Sequence, residues 1–181
     1  IALPPDASGV WAEEFMEGYR ELSARFGTPL VGGDTTRSES GVTINVTAIG
    51  RSPLTHLKRR RDARPGDALF VAGELGASGA GLRDLLAGRP EVHAMMDLSD
   101  GLASDLRHIL DESDCGAEVE LERIPVAAGA DLRTAACGGE DYKLLFTAAP
   151  TATRQLEEEF LARFGTPLHR IGRITERAGL T

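Results

Sequence analysis

A transition from apolar to acidic residues in the middle of the chain most constrains how the sequence can fold. Residues 93–96 have the character of a short buried strand, and the acidic segment 97–101 follows directly. The next apolar residues recur at three- and four-residue intervals, which predicts an amphipathic helix: Leu102, Leu106, Ile109 and Leu110. Either Ser99 or Asp100 is expected to cap that helix. The fold must therefore place carboxylates where a strand leads into a helix.

Two interpretations of this junction follow from the residues alone. In α/β proteins ligands bind at such an edge of the sheet, where a helix N-terminus offers free N–H groups to phosphate oxygens. Asp97 and Asp100 could then hold a divalent cation through their oxygens. In the plainer interpretation Asp97 is a loop residue and Asp100 is only a helix cap. The residue pattern leaves both open.

Charge and composition narrow the class of partner. The 181 residues suffice for one large domain or two small ones, and the net charge of −8 argues against a nucleic-acid-binding protein. One segment is basic, either as a solvated face or as a source of positive charge for phosphates: Lys58, Arg59, Arg60, Arg61 and Arg64. Cys115 and Cys137 fit no metal-binding spacing and are expected to be free thiols.

No segment indicates a membrane protein. The longest apolar runs fall well short of the ~20 residues that a membrane-spanning helix needs. The N-terminal residues lack the basic stretch of a signal peptide, and prolines interrupt them early. We therefore expect a cytoplasmic protein that does not bind membranes.

The first third of the sequence contains one strong helix and one strong strand pattern. A helix is predicted over residues 10–26, with an aromatic stripe that we expect in the core: Trp11, Phe15, Tyr19, Leu22 and Phe26. A short strand at residues 30–31 precedes the glycine-rich loop 32–36. Alternation of apolar and polar residues over 42–49 predicts a half-buried strand.

The remaining two thirds mixes strands and helices. Strands are predicted at 68–72, 117–121, 143–147 and, as the last one, 169–174, and a helix at 151–164 whose inward residues include Leu161. The glycine-rich segment 73–81, leading into a helix to about residue 86, lacks the P-loop pattern. Residues 124–134 are expected to be irregular. This order favours a mixed α/β (α+β) fold rather than a strict βαβ repeat.

Four motifs occur in an order that points to a family. They are Val-Gly-Gly-Asp-Thr-Thr at 31–36, Arg-Pro-Gly-Asp at 64–67, Met-Asp-Leu-Ser-Asp-Gly-Leu at 96–102 and Gly-Gly-Glu-Asp-Tyr at 138–142. Together they resemble the thiamine-monophosphate kinases. These kinases belong to the superfamily that includes aminoimidazole ribonucleotide synthetase and selenophosphate synthetase.

The resemblance implies a two-domain fold like that of aminoimidazole ribonucleotide synthetase. Residues 1–63 would be the C-terminal part of an N-terminal ATP-binding and dimerisation domain that is only partly present, and residues 64–181 the C-terminal α/β domain. The implied reaction transfers the γ-phosphoryl group of ATP to thiamine monophosphate, with Mg²⁺ as cofactor, in a homodimer. The reaction yields thiamine diphosphate and ADP.

The resemblance also assigns site residues. Gly33, Asp34, Arg60 and Ser99 would contact ATP, Asp34, Asp97 and Asp100 would hold Mg²⁺, and Glu140 would contact the thiamine substrate. Since the attacking atom is a phosphate oxygen already ionised near neutral pH, the reaction needs no protein base. The histidines are therefore interpreted as surface or structural residues: His56, His93, His108 and His169.

Two alternatives accompany the kinase assignment. One is another ATP-dependent enzyme of the superfamily, and the other is a truncated, non-catalytic nucleotide-binding or dimerisation module. Compared with the family pattern, segments are expected to be missing before Ile1, near 89–91, near 128–133 and after Thr181. We therefore expect the sequence to be part of a longer protein.

Overall fold

The computed structural model describes residues 1–73 and 88–181. It divides the chain into two compact units, Ile1–Arg51 and Ser52–Thr181. The glycine-rich segment and helix predicted between residues 73 and 86 lie outside the described residues, apart from residue 73 itself.

The first unit contains the predicted helix. Helix α1 (Gly9–Phe26) begins at Ser8, whose Oγ accepts a hydrogen bond from the N–H of Trp11 at 3.1 Å, and ends at Gly27, which has φ 61°. The rings of Trp11 and Phe15 stack with centroids 5.5 Å apart. No residue of this helix is buried, so the prediction of a core stripe is wrong. Burial requires a second layer, and Ile1–Arg51 does not supply one.

The strands of the first unit are shorter than predicted. β1 (Ala2–Leu3) pairs in parallel with β2 (Thr36–Arg37). The strands predicted at 30–31 and 42–49 do not form; the second touches β1 only through an isolated antiparallel bridge between Ala2 and Thr43. Its apolar residues are exposed, among them Ile49 at 87%. An alternating pattern produces a half-buried strand only where a partner strand and a covering layer exist.

The second unit is built on a six-stranded sheet. Its strands are β3 (Ala68–Ala72), β4 (Val92–Asp97), β5 (Gly116–Val119), β6 (Leu144–Ala148), β7 (Leu168–Thr175) and β8 (Gly179–Leu180). Their order across the sheet is β4-β6-β3-β7-β5-β8. All neighbours are antiparallel except β5 and β8. The prediction that β7 is the last strand is wrong, because β8 follows it.

Helices cover both faces of this sheet. They are α2 (Leu102–Ser113), the short α3 (Leu132–Cys137) and α4 (Thr153–Phe164). Helix α3 begins within the last residues of the segment 124–134, which was predicted to be irregular. Leu69 of β3 belongs to the apolar cluster that includes α2 residues, and Phe70 to the cluster that includes α4 residues. Strand β3 is therefore apolar on both faces, as expected of a strand buried on both sides. Leu161, predicted to point inward from α4, is 51% exposed.

A buried histidine of β4 contacts a buried aspartate that precedes β3. His93 Nδ1 lies 2.9 Å from Oδ2 of Asp67, and the two side chains are 8% and 3% exposed. The same carboxylate accepts a hydrogen bond from the N–H of Arg64 at 3.0 Å. His93 is therefore buried with a fixed partner, an arrangement that is compatible with the structural role expected for it.

Candidate functional site

Two loops of the second unit meet at one edge of the sheet. The acidic loop, residues 97–101, follows β4, and the glycine loop, residues 138–142, precedes β6. Strands β4 and β6 are antiparallel neighbours, with Asp97 opposite Leu144. Antiparallel pairing places the end of one strand beside the start of the other. Two motifs that are distant in sequence are thereby brought together.

Backbone hydrogen bonds fix the spacing between these loops. Tyr142 N–H donates to the carbonyl of Leu98 at 2.7 Å, and Glu140 N–H donates to the carbonyl of Ser99 at 2.8 Å. Leu98 N–H in turn donates to the carbonyl of Lys143 at 2.8 Å. Three backbone bonds over so few residues hold the loops in one register.

Glycine is required at two points of this contact. Gly101 has φ 108°, and a Cβ there would lie 2.5 Å from the carbonyl oxygen of Gly138. A Cβ at Gly139 would lie 2.6 Å from the carbonyl oxygen of Ser99. Any larger residue would push the loops apart. Gly101 and Gly139 are thus explained by the closeness of the two backbones.

A residue that the sequence analysis missed organises the acidic loop. Asp105 is 1% exposed, and its Oδ2 accepts hydrogen bonds from the N–H groups of Ser99, Asp100 and Gly101 at 2.9, 3.0 and 3.2 Å. The N-cap of α2 is Gly101, without a side-chain cap, so the prediction of Ser99 or Asp100 as cap is wrong. Both residues point their N–H groups at Asp105 instead. An aspartate in the first helical turn, favourable at that end of the dipole, was the available signal.

The two loops gather negative charge. Asp97 is half-buried, whereas Asp100 and Glu140 are exposed. The hydroxyl of Tyr142 donates to Oε2 of Glu140 at 2.7 Å. This bond, and then the charge of Glu140, raise the pKa of Tyr142 above its usual range, with smaller contributions from burial and from the charges of Asp97 and Asp100. All three carboxylates therefore act on the same small region.

A basic cavity adjoins this edge. It has a volume of about 740 Å³, and its lining includes Asp97, Met96 and the basic residues 58–61. Arg60 forms an ion pair with Glu112 at 2.9 Å, with both side chains partly exposed. Lys58 donates to the carbonyl of Arg89, and burial lowers its pKa. The cavity combines apolar walls with cationic groups, which suits a phosphorylated organic ligand.

The remaining predicted site residues lie in the first unit. Gly33 and Asp34 are on an exposed loop before β2, where Oδ1 of Asp34 accepts a hydrogen bond from the N–H of Thr35 at 2.8 Å. The structure therefore brings together Asp97, Ser99, Asp100 and Glu140 in the second unit, with Arg60 on the adjoining cavity. Gly33 and Asp34 belong to the first unit, and their positions are described only relative to that unit.

Family models match both parts of the chain. The model for the N-terminal domain of AIR synthase related protein matches residues 1–52, and the model for its C-terminal domain matches residues 82–181. The chain belongs to the AIR synthase related family. The fold class and the superfamily predicted from the four motifs are thereby confirmed.

Within this family the chain is similar to thiamine-monophosphate kinases. It is 33% identical to the enzyme of Escherichia coli O157:H7 over 94% of this chain and 63% of the relative. The kinase structure from Stenotrophomonas maltophilia K279a superposes with a TM-score of 0.77 at 30% identity, over 99% of this chain and 68% of that one. A structure described as AaThiL complexed with AMPPCP and TMP gives 0.68 at 25% identity, over 99% and 67%.

The match extends over only part of these relatives. The chain spans 63% of the length of two of the curated relatives that it matches. In the part of the chain that the structure describes, no helix is both long and apolar enough to cross a membrane.

Proposed function

We propose that the full-length protein is an ATP-dependent thiamine-monophosphate kinase. The observation that carries the proposal is the meeting of the acidic loop and the glycine loop, which gathers Asp97, Asp100 and Glu140 beside a basic cavity. The similarity to kinases of this name supports the same activity, as does a relative in complex with AMPPCP and TMP. The product would be thiamine diphosphate, with release of ADP.

The donor chemistry of the acidic loop fits Mg²⁺. Within residues 1–73 and 88–181, no three histidine, cysteine, aspartate or glutamate side chains are grouped so that they could hold a metal ion. Mg²⁺ is commonly bound by one or two carboxylates and completed by substrate phosphates and water, so a full protein cage is not needed. We propose that Asp97 and Asp100, together with Asp34 from the first unit, are the ligands. When bound, Mg²⁺ neutralises charge on the phosphates of ATP.

The remaining roles concern binding and alignment. We propose that Gly33, Asp34, Arg60 and Ser99 contact ATP and that Glu140 contacts thiamine monophosphate. The acceptor phosphate is largely ionised near neutral pH, so the protein has to align two phosphate groups and offset their repulsion, without abstracting a proton. The ion pair of Arg60 with Glu112 is exposed enough on both sides to be exchanged for a phosphate at little cost.

The assembly and location of the protein are part of the same proposal. The functional division would fall between residues 63 and 64, with residues 1–63 in the ATP-binding and dimerisation domain. The protein would act as a homodimer in the cytoplasm. Sedimentation of the full-length protein tests the dimer, and a monomer at micromolar concentration would contradict it.

ADP release tests the activity. Full-length protein with Mg-ATP is expected to release ADP when thiamine monophosphate is added, and not with the substrates of aminoimidazole ribonucleotide synthetase or selenophosphate synthetase. Thiamine diphosphate, identified by mass spectrometry, should form in equal amount. Stimulation by one of the other substrates alone would assign the protein to another branch of the family.

Intact mass separates the enzyme from a truncated module. A purified natural protein clearly heavier than the 19.3 kDa of this sequence agrees with the kinase proposal. A natural protein of that mass that binds Mg-ATP without turnover would instead be a nucleotide-binding module.

A further inference from the structure

The glycine loop contains two residues with a rare backbone conformation. Glu140 has φ 67° and Tyr142 has φ 49°, both in the left-handed region. Asp141 between them is 3% exposed. A bulky aromatic residue rarely adopts this conformation, and it persists only where the surrounding structure enforces it. Such outliers concentrate at functional sites.

Contacts with the acidic loop enforce the conformation here. The N–H groups of Glu140 and Tyr142 are bonded to the carbonyls of Ser99 and Leu98. With both backbones fixed, the two side chains lie on the same side of the loop, and the Tyr142 hydroxyl reaches Oε2 of Glu140 at 2.7 Å. The contact between Tyr142 and Glu140 therefore depends on the hydrogen bonds by which the acidic loop fixes the backbone of the glycine loop.

We propose that Tyr142 is a positioning residue, which orients the Glu140 carboxylate toward the cationic ring of the acceptor substrate. The proposal rests on the function proposed above, since that function supplies a substrate with a positively charged thiazolium ring. It adds a role for a residue to which neither the motif resemblance nor the site assignment gave one.

The physical reason lies in the mobility of an exposed glutamate. Glu140 is exposed, and a free glutamate side chain samples many rotamers, which must be given up on binding. A hydrogen bond from the phenol selects one orientation in advance while leaving the carboxylate charged. A tyrosine phenol is protonated throughout the neutral range, so the Tyr142 hydroxyl is available as a donor, and its pKa is raised further by the hydrogen bond to Glu140.

Removing the hydroxyl alone tests this role. In the full-length protein, Tyr142→Phe should raise KM for thiamine monophosphate by about 3- to 10-fold, the range expected for a partly exposed hydrogen bond to a charged group. Its kcat and its KM for Mg-ATP should stay within about 2-fold, because the change affects acceptor binding and not the transition state. The matched control is Tyr19→Phe, the other tyrosine of this sequence, on α1; it should change none of the three constants.

A double-mutant cycle separates positioning from a structural role. Glu140→Ala should raise KM for thiamine monophosphate at least as much as Tyr142→Phe does. Adding Tyr142→Phe to Glu140→Ala should then have no further effect, because the phenol has no carboxylate left to orient. A structural contribution of Tyr142 would add in full to the effect of Glu140→Ala.

The outcomes that overturn the inference differ from those that overturn the function. If the unaltered protein does not turn over thiamine monophosphate, the proposed function fails and the inference falls with it. If it does, an unchanged KM in Tyr142→Phe overturns the inference alone, as would additivity in the cycle. A raised KM in Tyr142→Asn, which tolerates the left-handed backbone, combined with a normal Tyr142→Phe, would assign the effect to the ring instead of the hydroxyl.

Discussion

Similar apolar sequence patterns are buried in the second unit of this chain and exposed in the first. Val71 of β3 is fully buried, whereas Val46, in the strand pattern predicted over 42–49, is 61% exposed. None of residues 1–51, all of which the structure describes, is buried. The second unit encloses two apolar clusters, one on each face of its sheet.

The difference teaches what an apolar pattern specifies. Helix α1 forms in the first unit because its hydrogen bonds are internal and its ends are capped locally. A strand needs a neighbouring strand to bond its backbone N–H and C=O groups. Residues 42–49 contact β1 only through the bridge between Ala2 and Thr43, and they therefore do not form a strand. Strand β3 has β6 and β7 on its two sides and forms as predicted.

The largest expected effect concerns stability. In the 181-residue chain, Phe70→Ala should lower the free energy of unfolding by about 3–5 kcal/mol, because it removes the ring that stacks on Phe146 and leaves a cavity in the core. Phe15→Ala, on the half-exposed face of α1, should cost about 1 kcal/mol or less. Urea unfolding followed by circular dichroism measures both. Equal losses would mean that α1 is buried as deeply as the sheet.

Activity provides the next comparison between the units. In the full-length protein, Asp97→Asn in the second unit should lower kcat at least ~10²-fold, since a lost metal ligand removes several kcal/mol of transition-state stabilisation. Asp34→Asn in the first unit should act as strongly if both units supply ligands. ADP release at limiting Mg²⁺ measures both rates. Normal turnover in either variant would remove that residue from the proposed site.

The rate of thiol labelling measures how often the core of the second unit opens to solvent. Cys115 is 3% exposed, and burial raises its pKa above the usual range, with the charges of Asp67 and Asp114 adding to the shift. Cys137 is exposed. At neutral pH we expect Cys115 to react at least ~10²-fold more slowly than Cys137, because its labelling requires opening of the core. Mass spectrometry of peptides labelled over time measures both rates, and similar rates would indicate an open unit.

The smallest expected effect is a control on the site. His108 is exposed on α2, which begins next to the acidic loop, and it belongs to none of the proposed contacts. His108→Ala in the full-length protein should leave the rate of ADP release within a few-fold of normal. A collapse of activity with an unchanged circular dichroism spectrum would reveal a role for this histidine.

The sequence predicted those parts of the fold that depend on local patterns. Helix α1 and the apolar strands β3 and β4 appear where the pattern placed them. Strand β8 was missed because two residues carry too little pattern, and its pairing with β5 is decided by the rest of the sheet. Periodicity alone contains no information on which partners a strand finds.

The site was predicted by motif more than by geometry. The family resemblance implied that Asp97, Asp100 and Glu140 belong to one site, and the structure places their loops side by side. The inward-facing Asp105 was not predicted, because a buried acid in a first helical turn has the same sequence appearance as an exposed one. Its partners depend on the path of the loop, which the sequence pattern does not specify.

The position of Asp105 also bears on the order in which the site assembles. Its bonds to the acidic loop span at most six residues, so the loop can take shape as soon as α2 forms. The glycine loop comes from a distant part of the sequence and arrives only when β6 pairs with β4. Local contacts close early in folding and distant ones late. We therefore expect the acidic half of the site to become ordered before its partner, and the strained residues Glu140 and Tyr142 to be completed last.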